Sequence, residues 1–367
     1  MCGLYIHLPF CLKKCGYCDF VSYTDCYALE EPYVTALLSE FSQYRGTKVD
    51  TVYIGGGTPT SLTTKSLVRI LDGAFATFDV AKGAEVTVEC NPKTADETKM
   101  QALFDHGANR LSIGVQSLDN DVLKTIGRIH SAEDAISCVE MAHHVGFRNL
   151  SGDLMFGLPG QTMESLKNSI DSFTSLPLTH ISCYGLILEE GTPLTMQIEA
   201  GELTLPDEDT EYAMYCEIRN RLEKQGFYRY EISNFAKNGF ASRHNVKYWD
   251  CAEYIGCGAA AHSYFDGVRF CHTDDITAYI KNPMEQQEKT QILPEDAMCE
   301  FMMLGLRKTE GVSKTVFQNR FGMTLCDRFG EVIEKYKEKG LLKEREDRIF
   351  FTEQGIYVSN TVLCEFV

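Results

Sequence analysis

Hydrophobic and polar positions in the first half of the chain alternate between two patterns. Short runs rich in β-branched and aromatic residues predict strands, and segments with apolar residues at spacings of three and four predict helices. The predicted strands are Leu4 to Leu8, Thr51 to Ile54, Glu85 to Cys90, Arg110 to Val115, Asn149 to Phe156 and His180 to Leu188. The predicted helices between them are Ala28 to Tyr44, Thr64 to Phe78, Ala95 to His106, Ala132 to Val145 and Thr162 to Phe173. Such alternation is typical of repeated βα units around a parallel sheet.

Six such strands fit a partial (β/α)6 barrel better than a complete eight-stranded one. A flat doubly wound sheet stays open as an alternative, because periodicity does not distinguish a closed sheet from an open one. After Leu188 the alternation stops, and the chain continues with a predicted long helix from Asp207 to Gln225 and an irregular aromatic stretch through Tyr264. We therefore divide the chain into a core domain at 1–235 and a connecting region at 236–290, followed by a third domain.

That third domain, residues 291–367, is predicted to be a small winged-helix-like α+β module. Helical segments lead to a helix that closes at Gly340, and Leu341 to Phe351 reads as a hairpin. Many modules of this kind bind DNA, but this one has 11 basic against 13 acidic residues. A docking or lid role is therefore expected in place of DNA binding.

Composition narrows the range of partners and compartments. The whole chain has 52 acidic and 35 basic side chains and a net charge of −17, which argues against a nucleic-acid partner. Its 15 cysteines are odd in number, and His7 and Pro9 interrupt the apolar opening where a signal peptide would need continuity. We therefore expect a cytoplasmic protein in a reducing compartment, with no apolar stretch long enough to cross a bilayer.

Three cysteines stand close together directly after the first predicted strand. Cys11, Cys15 and Cys18 place three soft thiolate ligands within eight residues. A closed structural zinc site needs four ligands, and Cys2 lies at the other end of the strand while Cys26 leads into a helix. An incomplete set of three ligands favours an iron–sulfur cubane with one open iron, and chance cysteines or zinc are the alternatives.

The Cys-x3-Cys-x2-Cys spacing after a first strand resembles that of the radical S-adenosylmethionine enzymes, whose fold is a partial (β/α)6 barrel. The resemblance implies that Cys11, Cys15 and Cys18 hold a [4Fe–4S] cluster and that S-adenosylmethionine chelates the open iron. Polar residues at the carboxyl ends of the predicted strands agree with a ligand site there. Matched position by position to the family, the residues implied to bind S-adenosylmethionine are Tyr5, Gly56, Gly57, Thr58, Glu89, Gln116, Arg128 and Asp153.

Longer motifs resemble those of one family within that superfamily. Val-Glu-Cys-Asn-Pro around Glu89 and Asp-Leu-Met-Phe-Gly-Leu-Pro-Gly from Asp153 are similar to the oxygen-independent coproporphyrinogen III oxidase family, over nearly the whole chain. The true oxidases continue the cysteine motif as Cys-x-Cys after a sizeable N-terminal extension. Here Phe20 stands at that last position, and only ten residues precede Cys11.

The HemW-type haem chaperone branch has Cys-x-Phe there and carries His-Asn-x-x-Tyr-Trp further on. His244, Asn245, Tyr248 and Trp249 match all four defined positions, and the resemblance implies that they bind haem. Imidazole is an iron ligand and the aromatic rings offer flat apolar faces, although ordinary core packing would also explain these residues. The axial ligand is left open, with His262, His272, Cys251, Cys257 and Cys271 as rivals to His244.

The resemblance implies a haem chaperone that carries a [4Fe–4S] cluster and S-adenosylmethionine and passes haem to an acceptor protein. The acceptor can be membrane-associated, an electron donor to the cluster is needed, and a homodimer is a further expectation. The alternative is an oxygen-independent coproporphyrinogen III oxidase, which decarboxylates a porphyrinogen by radical chemistry. The residues do not decide whether S-adenosylmethionine is cleaved in turnover, so whether the chain is an enzyme is left open.

Overall fold

The computed structural model describes residues 1–367 and has a parallel sheet at its centre. Six parallel strands lie side by side in chain order. They are β1 (Cys2–Leu8), β2 (Lys48–Gly56), β3 (Asp79–Cys90), β4 (Arg110–Gln116), β5 (Asn149–Phe156) and β6 (His180–Gly185). All six predicted strands are confirmed. A doubly wound sheet would reverse its strand order at a switch point, and this sheet does not.

The crossover helices cover the outer face of this sheet. They are α1 (Glu30–Phe41), α2 (Thr64–Thr77), α3 (Glu97–Asp105), α4 (Asn120–Thr125), α5 (Ala132–Val145) and α6 (Met163–Ser175). Ser131 and Thr162 are the N-cap residues of α5 and α6. Each forms a capping box, in which its side chain accepts a hydrogen bond from a backbone amide of the first turn and its own backbone amide donates to a side chain there. Leu4, Ile6 and Leu8 alternate along β1 with no exposed surface, within a core of 53 buried residues.

The inner face of the same strands has a different composition. Small polar side chains occupy inward positions, such as Ser112 on β4 and Ser182 on β6, and both line a central cavity. Side chains alternate between the two faces of a strand, so the same strands supply an apolar outer layer and a polar inner one. This alternation leaves room for a ligand inside the curved sheet.

Further strands extend the sheet at both edges and keep it open. Beside β1 lie β9 (Tyr254–Cys257), β10 (His262–Phe265), β11 (Val268–Cys271) and β12 (Gln287–Gln291), and beside β6 lie β8 (Asn234–Ala236) and β7 (Tyr228–Arg229). The edges of β1 and β6 therefore pair with other strands and not with each other, which gives the expected partial barrel. The stretch through Tyr264, predicted as irregular, contains four short strands, so that part of the prediction was wrong.

Four helices follow the barrel units: α7 (Pro193–Glu199), α8 (Glu208–Lys224), α9 (Arg243–Trp249) and α10 (Ile276–Lys281). The long helix predicted from Asp207 corresponds to α8. Helix α9 packs against the amino-terminal ends of β1 and β2. A Cβ atom at Gly3 would lie 3.1 Å from the Lys247 side chain and 3.3 Å from the His244 ring, so glycine allows this helix to approach.

The C-terminal residues form a second core of 17 buried residues. The elements are α11 (Pro294–Gly305), β13 (Val312–Ser313), α12 (Lys314–Phe321), α13 (Leu325–Glu338), β14 (Leu342–Arg345), β15 (Arg348–Phe351), α14 (Glu353–Tyr357) and α15 (Ser359–Leu363). The three strands form a small antiparallel sheet in the order β13-β15-β14. Helices followed by a hairpin confirm the winged-helix-like α+β module. No helix of the chain has the length and apolar character needed to span a bilayer.

Candidate functional site

A cavity of about 430 Å³ opens at the carboxyl ends of the barrel strands. Cys11, Cys15 and Cys18 all line it, from the loop that follows β1. Of the other predicted cofactor residues, the cavity brings together Gly56, Gly57, Thr58, Glu89, Gln116, Arg128 and Asp153. Carboxyl ends of parallel strands are where barrel enzymes place their ligands. Only Tyr5, among the residues predicted for S-adenosylmethionine, does not line this cavity.

The three cysteines share the cavity without converging on one point. No group of three His, Cys, Asp or Glu side chains is arranged to hold a single metal ion. In a cubane each cysteine binds a different iron atom, so three separated thiolates fit a cluster better than they fit a zinc ion. The donor set and its spacing therefore suit a [4Fe–4S] group.

Two polar groups approach these sulfur atoms. Nη1 of Arg128 donates a hydrogen bond to the Cys15 sulfur at 3.2 Å, and the Thr58 hydroxyl lies 3.5 Å from the Cys11 sulfur. The other end of the Arg128 guanidinium donates to the Gly114 carbonyl oxygen. Hydrogen bonds to ligand sulfur tune the electronic properties of an iron–sulfur group. Arg128 therefore contacts a cysteine sulfur and also lines the cavity predicted to hold the cofactor.

The glycine turn after β2 packs closely against β1 and its loop. A Cβ atom at Gly57 would lie 2.7 Å from the Phe10 carbonyl oxygen, and one at Gly56 would lie 2.7 Å from the His7 ring. The backbone amide of Thr58 donates to the Phe10 oxygen at 2.7 Å. The absence of side chains at these glycines therefore allows the turn after β2 to approach β1 and its loop. Glycine at position 56 also permits the positive φ of 112°.

Glu89 and Asp153 place two carboxyl groups inside the cavity. Tyr53 donates a hydrogen bond to Glu89 at 2.7 Å, and the Gly56 amide donates to its other oxygen at 3.2 Å. Burial raises the pKa of Glu89 to about 7, with these hydrogen bonds opposing the rise. Burial likewise raises the pKa of Asp153 to about 6, opposed by a hydrogen bond from Ser182. A cationic ligand would favour the ionised form of both groups.

Gln116 ends β4 in an unusual backbone conformation. Its φ is 72°, in the left-handed region, and the pairing of β4 with β5 shifts register between Ile113 and Gln116. A non-glycine residue in this region is uncommon and occurs often at functional sites. The distortion brings the Gln116 side chain to the cavity wall.

A chain of hydrogen bonds links Tyr5 to the segment that follows the three cysteines. Its hydroxyl lies 2.9 Å from Nδ1 of His7, and Nε2 of His7 lies 3.0 Å from the Val21 carbonyl oxygen. Because a carbonyl only accepts, Nε2 must carry the proton and Nδ1 must accept from the Tyr5 hydroxyl. Burial lowers the pKa of His7, which keeps the ring neutral as this arrangement needs.

Arg110 is a cavity residue that the sequence analysis did not select. It is 2% exposed at the start of β4, and its Nε atom is buried with no hydrogen-bond partner. Its positive charge opposes the rise in the pKa of both Glu89 and Asp153 that burial causes. A charged residue opening an otherwise apolar strand was the signal that could have identified it.

The four residues predicted to bind haem do not share one cavity. His244 is 1% exposed, with Nδ1 2.9 Å from the Thr51 hydroxyl and Nε2 3.0 Å from the Tyr248 hydroxyl. Burial lowers the pKa of His244 to about 3, so the ring is neutral. Asn245 lines the large cavity, and the Trp249 ring packs under the Arg307 guanidinium at 4.5 Å.

Tyr248 lines a different cavity of about 300 Å³, on the far side of α9. Cys251 lines that second cavity as well. The other rivals for the haem iron are placed differently: His272 is buried 2.8 Å from Glu40, and Cys257 and Cys271 are buried in the extended sheet. His262 is exposed at the start of β10.

Comparison with known proteins agrees with this geometry. The model of the radical SAM superfamily matches residues 5–173, and the model of the HemN C-terminal domain matches residues 292–358. Coproporphyrinogen III oxidase (HemN) from Escherichia coli superposes with a TM-score of 0.88, covering 99% of this chain and 89% of that one, at 20% identity. The two family-model matches and the shared fold together describe a radical SAM protein with a HemN-type C-terminal domain.

Relatives identify the family more closely. The haem chaperone HemW of Bacillus subtilis is 38% identical over 100% of this chain and 99% of its own length. HemW of Lactococcus lactis is 38% identical over 99% of this chain and 96% of its own length. The mitochondrial radical S-adenosyl methionine domain-containing protein 1 of Bos taurus is 32% identical over 100% of this chain and 87% of its length. The chain belongs to the HemW family within the radical SAM superfamily.

Proposed function

We propose that this chain is a haem chaperone, which binds haem and transfers it to an acceptor protein. The observation that carries the proposal is the full-length identity of 38% to a protein named as a haem chaperone, with 99% of that relative covered. The oxidase of similar fold is 20% identical, and this identity supports a common fold without a common reaction. Phe20 in the Cys-x-Phe position is a second feature that separates the chain from the oxidases.

The cluster and S-adenosylmethionine belong to this function as resident groups. Cys11, Cys15 and Cys18 are the proposed cluster ligands, and together the two groups supply one-electron reductive chemistry when bound. The proposed S-adenosylmethionine residues are Gly56, Gly57, Thr58, Glu89, Gln116, Arg128 and Asp153 in the cavity wall, with Tyr5 outside the cavity as a positioning residue. Among these, Glu89 and Asp153 attract the cationic groups of the cofactor, and Tyr5 positions the cysteine loop through His7.

The haem role is assigned to α9 and its four motif residues. His244 anchors the helix to β2 through Thr51, Trp249 anchors it to the C-terminal module through Arg307, and Asn245 faces the cofactor cavity. Tyr248 offers an aromatic surface on the opposite side of the helix. In this assignment the motif fixes the position of haem relative to the cluster and the cofactor.

The proposed partners follow from the chemistry of the site. A haem-accepting protein completes the transfer, and an electron donor reduces the cluster, whose thiolate ligands line the cavity near the exposed Phe20. We propose a cytoplasmic location, a membrane-associated acceptor and a homodimeric state. The net charge of −17 makes nucleic acid an unfavourable partner.

Parallel assays on one preparation test the proposal. Protein reconstituted anaerobically with iron and sulfide is titrated with ferric haem, and a second portion receives coproporphyrinogen III, S-adenosylmethionine and a strong reductant. We expect a stoichiometric haem complex, haem transfer to an apo-acceptor, and no release of carbon dioxide. Catalytic decarboxylation by the unmodified protein would identify it as an oxidase and reject the chaperone function.

A further inference from the structure

The second cavity has a composition that suits a flat apolar ligand. It lies between α9, the extended edge of the sheet and α11, with a volume of about 300 Å³. Three tyrosine rings line it: Tyr248 from α9, Tyr254 from β9 and Tyr264 from β10. The Tyr248 and Tyr254 rings meet edge to face at 4.7 Å, and Arg269 lies 5.6 Å from the Tyr264 ring centroid. Aromatic walls of this kind bury large ring surfaces at low entropic cost.

A cysteine side chain lines the cavity together with these rings. Cys251 follows α9 in a left-handed conformation with φ of 49°, and it is half-buried. It is the one cysteine among the nine residues that line the cavity. Burial raises the pKa of the Cys251 thiol to about 11, and the exposed Arg320 guanidinium is near enough to oppose that rise. The site therefore combines aromatic rings, a soft donor and a nearby cation, and the Arg269–Glu300 ion pair forms the polar part of its wall.

We propose that this second cavity is the haem site of the chain and that the Cys251 sulfur is a ligand of the haem iron. The proposal rests on the haem-chaperone function and deepens it. Ferric iron takes the sulfur as an axial ligand, the thiol proton passes to solvent, an axial water leaves, and the iron keeps its oxidation state. Cysteine thiolate is an established class of haem ligand. Arg320 can pair with a propionate at the edge of the macrocycle.

The structure argues against three of the competing iron ligands. Both ring nitrogens of His244 are held by Thr51 and Tyr248, and its exposed fraction is 1%. His272 is equally enclosed, beside Glu40. Cys271, on β11, is buried and does not line the second cavity. A haem bound by Cys251 needs none of these groups to leave the core.

The test uses the full-length protein with its cluster reconstituted and ferric protoporphyrin IX as the probe. Cys251→Ser removes the sulfur, and Ala252→Trp fills the cavity beside it, since Ala252 also lines the wall. Cys271→Ser is the control, a cysteine at the end of β11 that does not line the cavity. Absorption titrations give affinity and stoichiometry, and resonance Raman spectra report an iron–sulfur stretch from haem. Iron, sulfide and S-adenosylmethionine binding verify that each variant is folded.

We expect Cys251→Ser to lose the haem iron–sulfur stretch and to bind haem at least about tenfold more weakly. Ala252→Trp should lower the stoichiometry, and Cys271→Ser should match the unmodified protein. If the unmodified protein binds haem and both cavity variants bind it unchanged, the site is elsewhere while the chaperone function stands. Loss of the complex only in His244→Ala would likewise overturn the Cys251 assignment. An unmodified protein that binds no haem would instead reject the proposed function.

Discussion

Asn245 and Tyr248 lie three residues apart on α9 and line two different cavities. Asn245 faces the large cavity that contains the three cysteines, and Tyr248 faces the second cavity beside α11. One residue before Asn245, the hydrogen bond of His244 with Thr51 holds the helix to β2. A seven-residue helix is thus a shared wall between the cofactor site and the proposed haem site.

This shared wall predicts that the two ligands affect each other. A ligand that contacts Asn245 restricts α9, so we expect saturating S-adenosylmethionine to tighten haem binding by about fivefold or more, within the usual range of coupling. Asn245→Ala should abolish this effect, so that the variant binds haem equally well with and without cofactor. Val246→Ala, on the same helix and lining neither cavity, is the control. Equal haem affinity with and without cofactor in the unmodified protein would exclude coupling.

Cluster assembly should depend on three of the fifteen cysteines. Replacing Cys11, Cys15 or Cys18 with Ser exchanges a soft thiolate for a hard hydroxyl, so iron and sulfide content should fall together. Cys2→Ser and Cys26→Ser are the controls, because neither residue lines the cavity. Loss of the cluster in either control to the same degree would contradict the ligand assignment.

Cofactor affinity should depend on Glu89 and Asp153 and on pH. Each alanine variant loses a charge-assisted contact of about 1.5 to 3 kcal/mol, roughly ten- to a hundredfold in affinity, and should keep the cluster. The pKa values of about 7 and 6 mean that both carboxyls gain protons as pH falls, so affinity should decrease from pH 8 to pH 5. Isothermal titration calorimetry between pH 8 and pH 5 measures this affinity for S-adenosylmethionine. Glu89→Gln should flatten the upper part of the profile, and an unchanged profile would separate Glu89 from the cofactor.

Tyr5 should act as a positioning residue. Tyr5→Phe removes the hydroxyl that donates to His7, which costs about 1 kcal/mol of stability. We expect faster loss of the cluster in air, with S-adenosylmethionine affinity close to that of the unmodified protein. Thr35→Val, which removes an exposed hydroxyl bond on α1, is a control for the loss of one hydroxyl. A tenfold loss of cofactor affinity in Tyr5→Phe would place the phenol in direct contact with the ligand.

His244 and Trp249 should affect haem through the position of α9. His244→Ala breaks the bonds to Thr51 and Tyr248 and leaves a buried space, so we expect a stability loss of about 2 kcal/mol or more by thermal unfolding. Adding Trp249→Ala removes the contact with Arg307 and should weaken haem binding further while the cluster stays intact. A stoichiometric haem complex of unchanged affinity in the double variant would remove the motif from the haem site.

The local sequence determined the barrel strands and most of the helices, because their patterns repeat within ten to fifteen residues. Asn149–Phe156 and Ala132–Val145 occur with the predicted bounds, since alternating faces and a capping Ser131 are local signals. The cysteine spacing likewise lies within eight residues. These features need no knowledge of distant contacts.

Only the tertiary structure decided how the second half of the chain packs against the six barrel strands and extends their sheet. Strand β9 is four residues long and forms by pairing with β1, which lies some 250 positions earlier in the chain. No local pattern in the sequence therefore predicts it. The same long-range packing encloses His244 against Thr51 and separates Asn245 from Tyr248. The sequence by itself predicted the candidate site residues, whereas their division between two cavities depends on contacts between segments that only folding brings together.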